Sequence, residues 1–297
     1  MKILLFGASG QVGAELRRSL APLGEVVPTT RSGMLDDGAA CEVADFASPD
    51  SLADLVARIA PDAVVNAAAY TAVDRAEDDH AAAFRVNAEA PRAIAAACAK
   101  RNALLVHYST DYVFDGSGKR PYREDDATAP LGVYGASKLA GEHAVRDSGA
   151  RHFIFRSAWV YAAHGKNFLL TMLRLAKERD ELRVVADQVG TPTSAELIAY
   201  ATATAIRSPR GSGLWHLTAS GQASWHEFAE AIMREAHALG LIARVPRIVP
   251  IATADYPTRA ARPAYSVMDN SAFQRDFGIE LANWYEGMVQ VLDELAS

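Results

Sequence analysis

The fold of this chain is decided by Lys2-Ile-Leu-Leu-Phe6 and by the loop that follows it, Gly7-Ala-Ser-Gly10-Gln-Val-Gly13. The first five residues form a short, mostly apolar run that predicts a buried parallel strand. After the loop, Val12, Leu16 and Leu20 recur every four residues, which predicts a helix. Strand, glycine turn and helix in this order are typical of a dinucleotide-binding site.

Each glycine of the loop has its own expected role in binding a dinucleotide. Gly7 allows the tight turn, Gly10 lets the backbone approach a pyrophosphate, and Gly13 lets the helix pack closely on the strand. Gln11 and Val12 lie at the helix N-terminus, which favours phosphate charge. The alternative, an ordinary strand–helix turn with incidental glycines, fits this context less well. We therefore expect all five residues to bind the cofactor.

The composition is typical of a globular enzyme. The 297 residues suffice for one large or two modest domains, and 50% of them are hydrophobic, enough for a sizeable core. We expect neither a secretory signal nor a membrane span, which needs about 20 apolar residues. Only Cys41 and Cys98 are present, which favours a reducing cytoplasm without disulfides. A net charge of −6 without a dense basic tract makes nucleic acid an unexpected partner.

Strand and helix patterns alternate through the first half of the chain. The predicted strands are Glu25–Thr30, Ala63–Asn66, Ala103–Ser109 and His152–Arg156, and the predicted helices are Pro49–Ala60, Ala82–Arg101 and Ala136–Arg146. This alternation predicts an α/β fold, a Rossmann-type doubly wound parallel sheet with helices on both faces. After residue 160 the pattern is less regular and predicts a smaller C-terminal α/β lobe. We therefore divide the chain into a dinucleotide-binding domain, 1–160, to which some later segments return, and a mainly substrate-binding lobe, 161–297.

Several residues fall at the carboxyl ends of the predicted strands, where such sheets bind their ligands. Arg31 follows the second strand, and arginine there suits the 2′-phosphate of NADP, although an ordinary surface arginine is the alternative. Asp45 and Phe46 are expected to flank the adenine, or else to be a turn acid and a core phenylalanine. The small residues Ala67-Ala68-Ala69 let a flat cofactor lie against the backbone, and they also suit plain tight packing.

Tyr134 and Lys138 are the pair expected to carry the chemistry. They stand four residues apart where a helical pattern begins, so both side chains project from one helix face. A nearby ammonium favours the phenolate and lowers a tyrosine pKa that is ordinarily about 10. The tyrosine would then be a usable acid near neutral pH. The same spacing fits a solvated helix face, but the glycine loop earlier in the chain favours the catalytic interpretation.

The segment Ser109-Thr110-Asp111-Tyr112 follows the predicted strand that precedes this helix. A hydroxyl at that strand end can hydrogen-bond the same carbonyl oxygen as Tyr134. Together they would stabilise the charge that develops on the oxygen as hydride arrives. Taken alone, such a segment is commonly a turn or a helix cap.

Six segments, in this order and spread over most of the chain, resemble the extended short-chain dehydrogenases/reductases and, among them, the dTDP-4-dehydrorhamnose reductase family. They are Gly7–Gly13, Asn66-Ala-Ala-Ala-Tyr-Thr-Ala-Val-Asp-Arg-Ala-Glu77, Tyr108-Ser-Thr-Asp-Tyr-Val-Phe-Asp-Gly116, Tyr134-Gly-Ala-Ser-Lys-Leu-Ala-Gly-Glu142, Arg156-Ser-Ala-Trp-Val-Tyr161 and Gly190-Thr-Pro-Thr193. The glycine loop and the Tyr-x-x-x-Lys motif mark only the superfamily. The other segments are far more particular to the reductases.

The resemblance implies reduction, by NADPH or NADH, of the 4-keto group of dTDP-4-dehydro-6-deoxy-L-mannose (dTDP-6-deoxy-L-lyxo-4-hexulose) to dTDP-L-rhamnose. Tyr134 would donate a proton to the carbonyl oxygen. Lys138 would hold the nicotinamide ribose and depress the tyrosine pKa. Thr110 would tune the tyrosine and touch the sugar, with Asp111 beside it. Tyr108 would contact the cofactor.

Further substrate positions are implied by the same resemblance. Trp159 would offer the sugar a flat apolar face, unless it is a core tryptophan. Thr191 and Thr193 belong to a loop near the substrate lobe, although Thr193 or its neighbour could instead cap a helix. Arg262, with Arg259, would meet the nucleotide diphosphate with paired donors, although such arginines are more often surface charges.

Some relatives bind Mg²⁺ through glutamates at a dimer contact, and Glu15, Glu196 and Glu294 occupy similar places here. Each is also an ordinary exposed helix residue, so the sequence leaves Mg²⁺ and a homodimer open without requiring them. Histidines without metal-ligand spacing, which give no reason to expect a catalytic metal, are His107, His216 and His226.

Two other functions fit the same fold. A nucleotide-sugar epimerase or dehydratase would retain and regenerate NAD, but Thr110-Asp111 offers an acid without the adjacent glutamate expected of a dehydratase. A non-catalytic NADP-binding regulatory subunit is the second alternative. The intact set of Tyr134, Lys138 and Thr110 counts against it.

Overall fold

The computed structural model describes residues 1–297 without a gap. Its strands are β1 Lys2–Phe6, β2 Glu25–Thr30, β3 Glu42–Val43, β4 Ala63–Asn66, β5 Leu104–Thr110, β6 Arg151–Ser157, β7 Val160–Tyr161, β8 Glu181–Val185, β9 Val189–Gly190, β10 Thr193–Ser194, β11 Gly213–His216, β12 Ala223–Ser224 and β13 Arg247–Ile251. Its helices are α1 Gln11–Leu20, α2 Pro49–Ile59, α3 Val73–Ala76, α4 His80–Phe84, α5 Ala90–Arg101, α6 Val133–Arg146, α7 Phe168–Glu178, α8 Ala195–Arg207, α9 Trp225–Ala238, α10 Ser271–Phe277 and α11 Trp284–Ala296. No helix is both long and apolar enough to cross a membrane.

A seven-stranded sheet forms the centre of the molecule, with its strands in the order β11-β6-β5-β4-β1-β2-β3. Every neighbouring pair in it is parallel. The chain builds outward from β1 to β3 on one side and then crosses back to place β4 on the other side of β1. This reversal makes the sheet doubly wound, as the sequence predicted, and it opens a crevice at the carboxyl ends of β1 and β4.

The period-two pattern of β1 explains why the sheet is covered on both faces. Ile3 and Leu5 belong to a core that also contains Leu16 of α1. Leu4 and Phe6 belong to a second core on the opposite face. Because successive side chains of a strand point to opposite faces, a strand buried on both sides must be apolar throughout. All four apolar residues of β1 are fully buried.

A third core lies outside the sheet and is built by the C-terminal half of the chain. It joins α7, α9 and α11 to the parallel pair β8–β13. Two later elements return to the sheet instead, since β11 pairs with β6 and α8 contributes Ile198 to the core that contains Leu16. The division at residue 160 into a dinucleotide-binding and a substrate-binding part stays a prediction.

The long helix predicted over Ala82–Arg101 is interrupted in the structure. It is divided into α4, a π-helical turn over Arg85–Glu89, and α5. Pro91 lies in the first turn of α5 and has no N–H, so the carbonyl of Asn87 loses its usual partner. That carbonyl faces Gly141 of α6, where a Cβ atom would lie 2.1 Å from it. The interruption therefore lets α6 pack closely against the π-helical turn.

Candidate active site

A cleft of about 580 Å³ lies at the carboxyl edge of the sheet, in the crevice where the chain reverses direction. It is bounded by the glycine loop, the ends of β4, β5 and β6, the start of α6 and the first residue of α9. The predicted site residues that line it are Gly10, Gln11, Val12, Ala67, Ala69, Tyr108, Thr110, Asp111, Tyr134, Lys138 and Trp159. Residues that are far apart in the sequence are thus brought to one place.

The glycine loop forms a backbone cradle with no room for side chains. Gly7 has a φ of +78°, and a Cβ atom there would lie 2.8 Å from the backbone nitrogen of Ala68. A Cβ atom on Gly13 would lie 1.9 Å from the carbonyl oxygen of Gly7. No side chain caps the N-terminus of α1, so its first N–H groups face the cleft without an internal acceptor. These features fit the pyrophosphate of a dinucleotide.

Tyr134 lies in the first turn of α6, which begins at Val133, three residues before the predicted start. Burial raises the pKa of the Tyr134 phenol to about 12, while the Thr110 hydroxyl lowers that pKa and the Asp111 carboxylate raises it. The phenol is therefore in its acid form at neutral pH. This is the form that can give a proton to a substrate oxygen.

Lys138 lies one helical turn further along α6 and is buried. Its Nζ donates a hydrogen bond of 2.6 Å to the carbonyl oxygen of Tyr108 at the end of β5. Burial lowers the pKa of Lys138 to about 8, and the carboxylate of Glu142 opposes this shift. The side chain is thus an ammonium at pH 7, but it loses its proton at a lower pH than an exposed lysine does.

The expectation that Lys138 lowers the pKa of Tyr134 is wrong for this structure. Lys138 is not among the groups that shift the pKa of Tyr134. Its ammonium is directed to the Tyr108 carbonyl, and loss of hydration is the largest influence on the phenol.

Thr110 and Asp111 form both a backbone turn and part of the cleft wall. The Thr110 hydroxyl donates to Asp111 Oδ1 at 3.0 Å and accepts from the Tyr112 N–H at 3.2 Å. Burial raises the pKa of Asp111 to about 6. Its Oδ2 atom is buried and makes no hydrogen bond in the structure, and the Ser266 hydroxyl lies close enough to oppose the rise in this pKa.

Trp159 follows β6 in an uncommon backbone conformation, with a φ of +47°. Its carbonyl oxygen accepts a hydrogen bond of 3.2 Å from the N–H of Thr193. The indole lies against Gly190, where a Cβ atom would come within 2.5 Å of the ring. The indole also stacks on Trp225, with ring centroids 3.5 Å apart.

A second cavity of about 680 Å³ adjoins the cleft, and Trp225 lines both. Four arginines line this second cavity, namely Arg179, Arg183, Arg259 and Arg262. Arg262 forms an ion pair of 2.8 Å with Asp74, and Arg259 pairs with Asp78. Arg262 therefore does not reach the cleft itself, but it lies in the cavity beside it.

Thr191 and Thr193 do not reach either cavity, which contradicts their predicted contact with substrate. Both are fully buried. The Thr191 hydroxyl donates to the carbonyl oxygen of Gly221 at 3.0 Å, and the Thr193 hydroxyl donates to that of Thr191 at 3.1 Å. Ser194 is the residue that caps α8, through a bond from the Leu197 N–H. Their polar atoms are used inside the protein because this loop must turn without access to water.

The remaining predicted cofactor residues lie beyond the cleft on the β2 side. Arg31 is exposed directly after β2 and has no acidic partner. Phe46 is buried and packs edge-on against Phe6, so the core interpretation describes its surroundings. Asp45 accepts a bond from the N–H of Ala47, as a turn acid does.

The three glutamates compared with a metal site do not form one within this chain. Glu15 is buried and accepts from Arg18 and from His164. The hydrogen bond that Arg18 donates to Glu15 raises the pKa of Arg18, and Glu294 and Glu196 are close enough to raise it further. No three metal-binding side chains of the chain come together.

Sequence reasoning missed three features of the site. Trp225 was not predicted as a site residue, because nothing in the local sequence pattern shows that it lines the cleft. Lys166, from the loop before α7, also lines the cleft. Arg156 makes two bonds of 2.8 Å to Glu142 beneath the site, and both side chains are buried. Arg156 and Glu142 both lie in the six segments that carry the family resemblance, but their pairing depends on the distance between β6 and α6.

Comparison with known proteins places these observations in one family. The family model for the RmlD substrate binding domain matches residues 1–297. A dTDP-4-dehydrorhamnose reductase from Burkholderia thailandensis is 53% identical over 294 residues, which cover 96% of this chain and 95% of that protein.

Two crystal structures agree with this comparison. A dTDP-4-dehydrorhamnose reductase from Clostridium acetobutylicum superposes with a TM-score of 0.91 and 36% identity, over 100% of each chain. The enzyme of the same name from Bacillus anthracis, in complex with NADP, gives a TM-score of 0.89 and 33% identity, over 99% of each chain. This chain therefore belongs to the dTDP-4-dehydrorhamnose reductase family.

Proposed function

We propose that this chain reduces the 4-keto group of dTDP-4-dehydro-6-deoxy-L-mannose with NADPH to give dTDP-L-rhamnose. The observation that carries the proposal is the convergence of Tyr134, Lys138 and Thr110 in one cleft below a glycine cradle. Family membership favours this substrate class, since the relative with 53% identity is named for the reaction. The fold alone would not choose between the chemistries that it supports.

The glycine loop and Lys138 would hold the cofactor, and Arg31 would favour NADPH over NADH. When bound, the cofactor supplies the hydride. The uncapped N-terminus of α1 offers N–H groups to the pyrophosphate. Arg31 stands exposed at the end of β2 without an acidic partner, so its guanidinium is available to a 2′-phosphate.

Tyr134 is the proposed proton donor to the carbonyl oxygen of the sugar. With a pKa of about 12, the phenol keeps its proton until an alkoxide begins to form. An alkoxide is a much stronger base than the phenolate, so the proton transfer runs downhill at that moment. Thr110 favours the phenolate that remains, because its hydroxyl lowers the pKa of the phenol.

The sugar is proposed to lie between Trp159 and Asp111, with the nucleotide end in the adjoining cavity. Trp159 offers an apolar face to a deoxysugar, and the Asp111 carboxylate in the cleft wall can accept a bond from a sugar hydroxyl. Arg179 and Arg183 line the second cavity without acidic partners, which suits a diphosphate. Arg262 would contribute to the same end of the substrate.

The composition of the cleft argues against both alternative functions. Asp111 is the only carboxylate that lines it, so the acid–base pair of a dehydratase is incomplete. An epimerase would show no net consumption of NADPH, which separates it from a reductase in a single assay. A regulatory subunit would have no need for a buried lysine one helical turn from a buried tyrosine.

For the assembly and surroundings, we propose a cytoplasmic enzyme that needs no metal for catalysis. Cys41 and Cys98 are free thiols, which suits a reducing compartment. A homodimer is proposed to use the face with Glu15, Glu196 and Glu294, where Arg18 already supplies a positive charge. Sedimentation tests the dimer, and the NADPH assay with and without EDTA tests whether catalysis needs a metal, since loss of turnover on chelation would contradict metal-free catalysis.

Replacement of Tyr134 by phenylalanine tests the proposed function. The assay follows the absorbance of NADPH with dTDP-6-deoxy-L-lyxo-4-hexulose as substrate. We expect Tyr134→Phe to lower kcat by about 10²–10⁴-fold, the usual contribution of a general acid. The Kd for NADPH should change little, because the ring remains.

Tyr200→Phe is the matched control, since that tyrosine is exposed and outside the cleft. It should leave kcat unchanged. Unchanged turnover in Tyr134→Phe would remove Tyr134 from the mechanism. Absence of NADPH oxidation in the wild-type protein would refute the reaction itself.

A further inference from the structure

Trp159 and Trp225 form a stacked pair of indoles at the boundary between the two cavities. Their ring centroids are 3.5 Å apart and their planes differ by 2°. Trp159 follows a strand of the central sheet, whereas Trp225 is the first residue of α9 in the C-terminal core. The stack is therefore a direct contact between the part that holds the catalytic helix and the part that holds the arginine-lined cavity.

The backbone conformation of Trp159 is one that tryptophan rarely adopts. A non-glycine residue with a φ of +47° is in the left-handed region, which is sterically unfavourable for a residue with a Cβ atom. Full face-to-face stacking is also not the arrangement that aromatic rings favour. The surrounding contacts must hold the indole in place. Gly190 provides them beside Nε1, Cε2 and Cζ2 of the ring, and Trp225 provides them on one ring face.

Trp225 is itself fixed by three independent contacts. Ser224 caps α9 in a reciprocal pair of hydrogen bonds with Glu227. The ring of Phe168 packs on Trp225 with centroids 4.7 Å apart. The antiparallel pair β9–β12 places Ala223 opposite Gly190, so the two residues that contact the Trp159 indole, Gly190 and Trp225, are linked through a single ladder. The gap that receives the indole is thus built before any ligand arrives.

We propose that Trp225 is a positioning residue, which covers one face of the Trp159 indole and so fixes the opposite face as the one that meets the sugar. Because Trp225 also lines the arginine-bearing cavity, the placement of the sugar depends on the part of the protein that receives the nucleotide. This inference rests on the proposed function, since it requires Trp159 to contact the sugar.

Two substitutions of Trp225 separate the flat ring from the volume that it fills. Trp225→Leu removes the aromatic face, and Trp225→Phe keeps one. We expect Trp225→Leu to lower kcat/KM for the sugar nucleotide by about 10–100-fold, the scale of a substrate misplaced by about 1 Å. Trp225→Phe should recover most of this loss. The Kd for NADPH should stay within about 2-fold in both, because the glycine loop is untouched.

A double-mutant cycle tests whether Trp225 acts through Trp159. In a Trp159→Ala background, Trp225→Leu should lower kcat/KM by less than about 3-fold, because the ring it positions is already gone. Gly190→Ala should reproduce the phenotype of Trp225→Leu, because it displaces the same indole. Its new Cβ would meet the indole, while its backbone conformation is open to alanine.

Trp284→Leu is the matched control, because it removes an indole beside the same C-terminal core but outside both cavities. It should leave kcat/KM within about 2-fold of the wild type, as expected for independent sites. A wild-type kcat/KM in Trp225→Leu would overturn the proposal. So would a loss of the same size in the Trp159→Ala background, since Trp225 would then act independently.

The wild-type assay keeps this proposal separate from the function. NADPH oxidation by the wild type together with an inert Trp225→Leu would overturn only the positioning role. Full activity in Trp159→Ala would remove the sugar contact and the positioning role together, and leave the reductase activity standing.

Discussion

At the scale of single residues, the site depends on burial as much as on charge. Tyr134 and Lys138 have pKa values of about 12 and about 8, and loss of hydration is the largest cause of both shifts. Each shift disfavours the charged form of the side chain. At neutral pH the phenol is nevertheless protonated and the lysine charged, which is the combination that a carbonyl reduction requires.

The pKa of Lys138 predicts how activity depends on pH. Because burial lowers this pKa to about 8, the ammonium is present below that pH and lost above it. We expect kcat/KM to be level near neutrality and to fall about tenfold per pH unit above the pKa. Rates at constant ionic strength between pH 6 and pH 10 measure this decline.

Lys138→Arg is the control for the pH profile, since a guanidinium keeps its charge over the whole range. Its activity will be lower, but the decline above pH 8 should be absent. A wild-type profile that is level to pH 10 would contradict the assignment. Asp111, with a pKa of about 6, would change kcat/KM only on the acid side of the pH profile.

Arg31 predicts the choice of cofactor. Removing its guanidinium in Arg31→Ala should raise KM for NADPH by about tenfold, which corresponds to about 1.4 kcal/mol for a lost charged contact. KM for NADH should not change, because NADH has no 2′-phosphate. Steady-state kinetics with both cofactors measure the difference.

Arg101→Ala is the matched control for Arg31, because Arg101 ends α5 at the opposite edge of the sheet. It should alter neither KM. Equal effects of Arg31→Ala on NADPH and NADH would show that Arg31 does not contact the phosphate.

At the scale of elements, α6 explains why three chemical groups meet. Tyr134, Lys138 and Glu142 recur every four residues, so one helix face presents all three. Glu142 is held by Arg156 of β6, and Lys138 is held by the carbonyl of Tyr108 on β5. The helix is thus fixed on two neighbouring strands along the face that carries the chemistry.

The packing of α1 on β1 gives a prediction for the glycine loop. A methyl group on Gly13 would lie 1.9 Å from the carbonyl oxygen of Gly7, and backbone atoms cannot move aside as a side chain can. We expect Gly13→Ala to lower the free energy of unfolding by about 1–3 kcal/mol, the usual cost of overpacking. NADPH binding should weaken more than tenfold. Denaturant unfolding and cofactor titration measure the two effects.

Gly211→Ala is the control for Gly13, because nothing lies within 4 Å of a Cβ atom there. It should change neither stability nor binding. A Gly13→Ala protein with normal NADPH affinity would mean that the close packing of α1 has no part in shaping the cradle.

Elements with strong local patterns were predicted well. The strands Glu25–Thr30 and Ala63–Asn66 have the predicted bounds, because short apolar runs between turns specify them locally. The helix predicted over Ala82–Arg101 is interrupted by a π-helical turn instead. The alanine-rich sequence favours a helix over the whole segment. The interruption arises because Pro91 removes a hydrogen bond in a turn that packs against α6.

At the scale of the whole molecule, the active site lies between cores that the chain builds separately. The sheet provides the glycine cradle and the catalytic helix, and the C-terminal core provides Trp225 and two of the arginines, Arg179 and Arg183. Elements β11 and α8 return to the sheet late in the chain and tie the two parts together. A substrate that has both a sugar and a nucleotide suits a site between these two parts of the protein.

The sequence by itself determined the dinucleotide fold and the catalytic motif, because both are written in short-range spacing. A strand, a glycine turn and a helix follow one another within 20 residues, and Tyr134 and Lys138 share one helical turn. Only the tertiary structure decided the stack of Trp159 on Trp225, the burial of Thr191 and Thr193, and the direction of the Tyr134 pKa shift. These properties depend on contacts between residues that are far apart in the sequence, and no local sequence pattern shows those contacts.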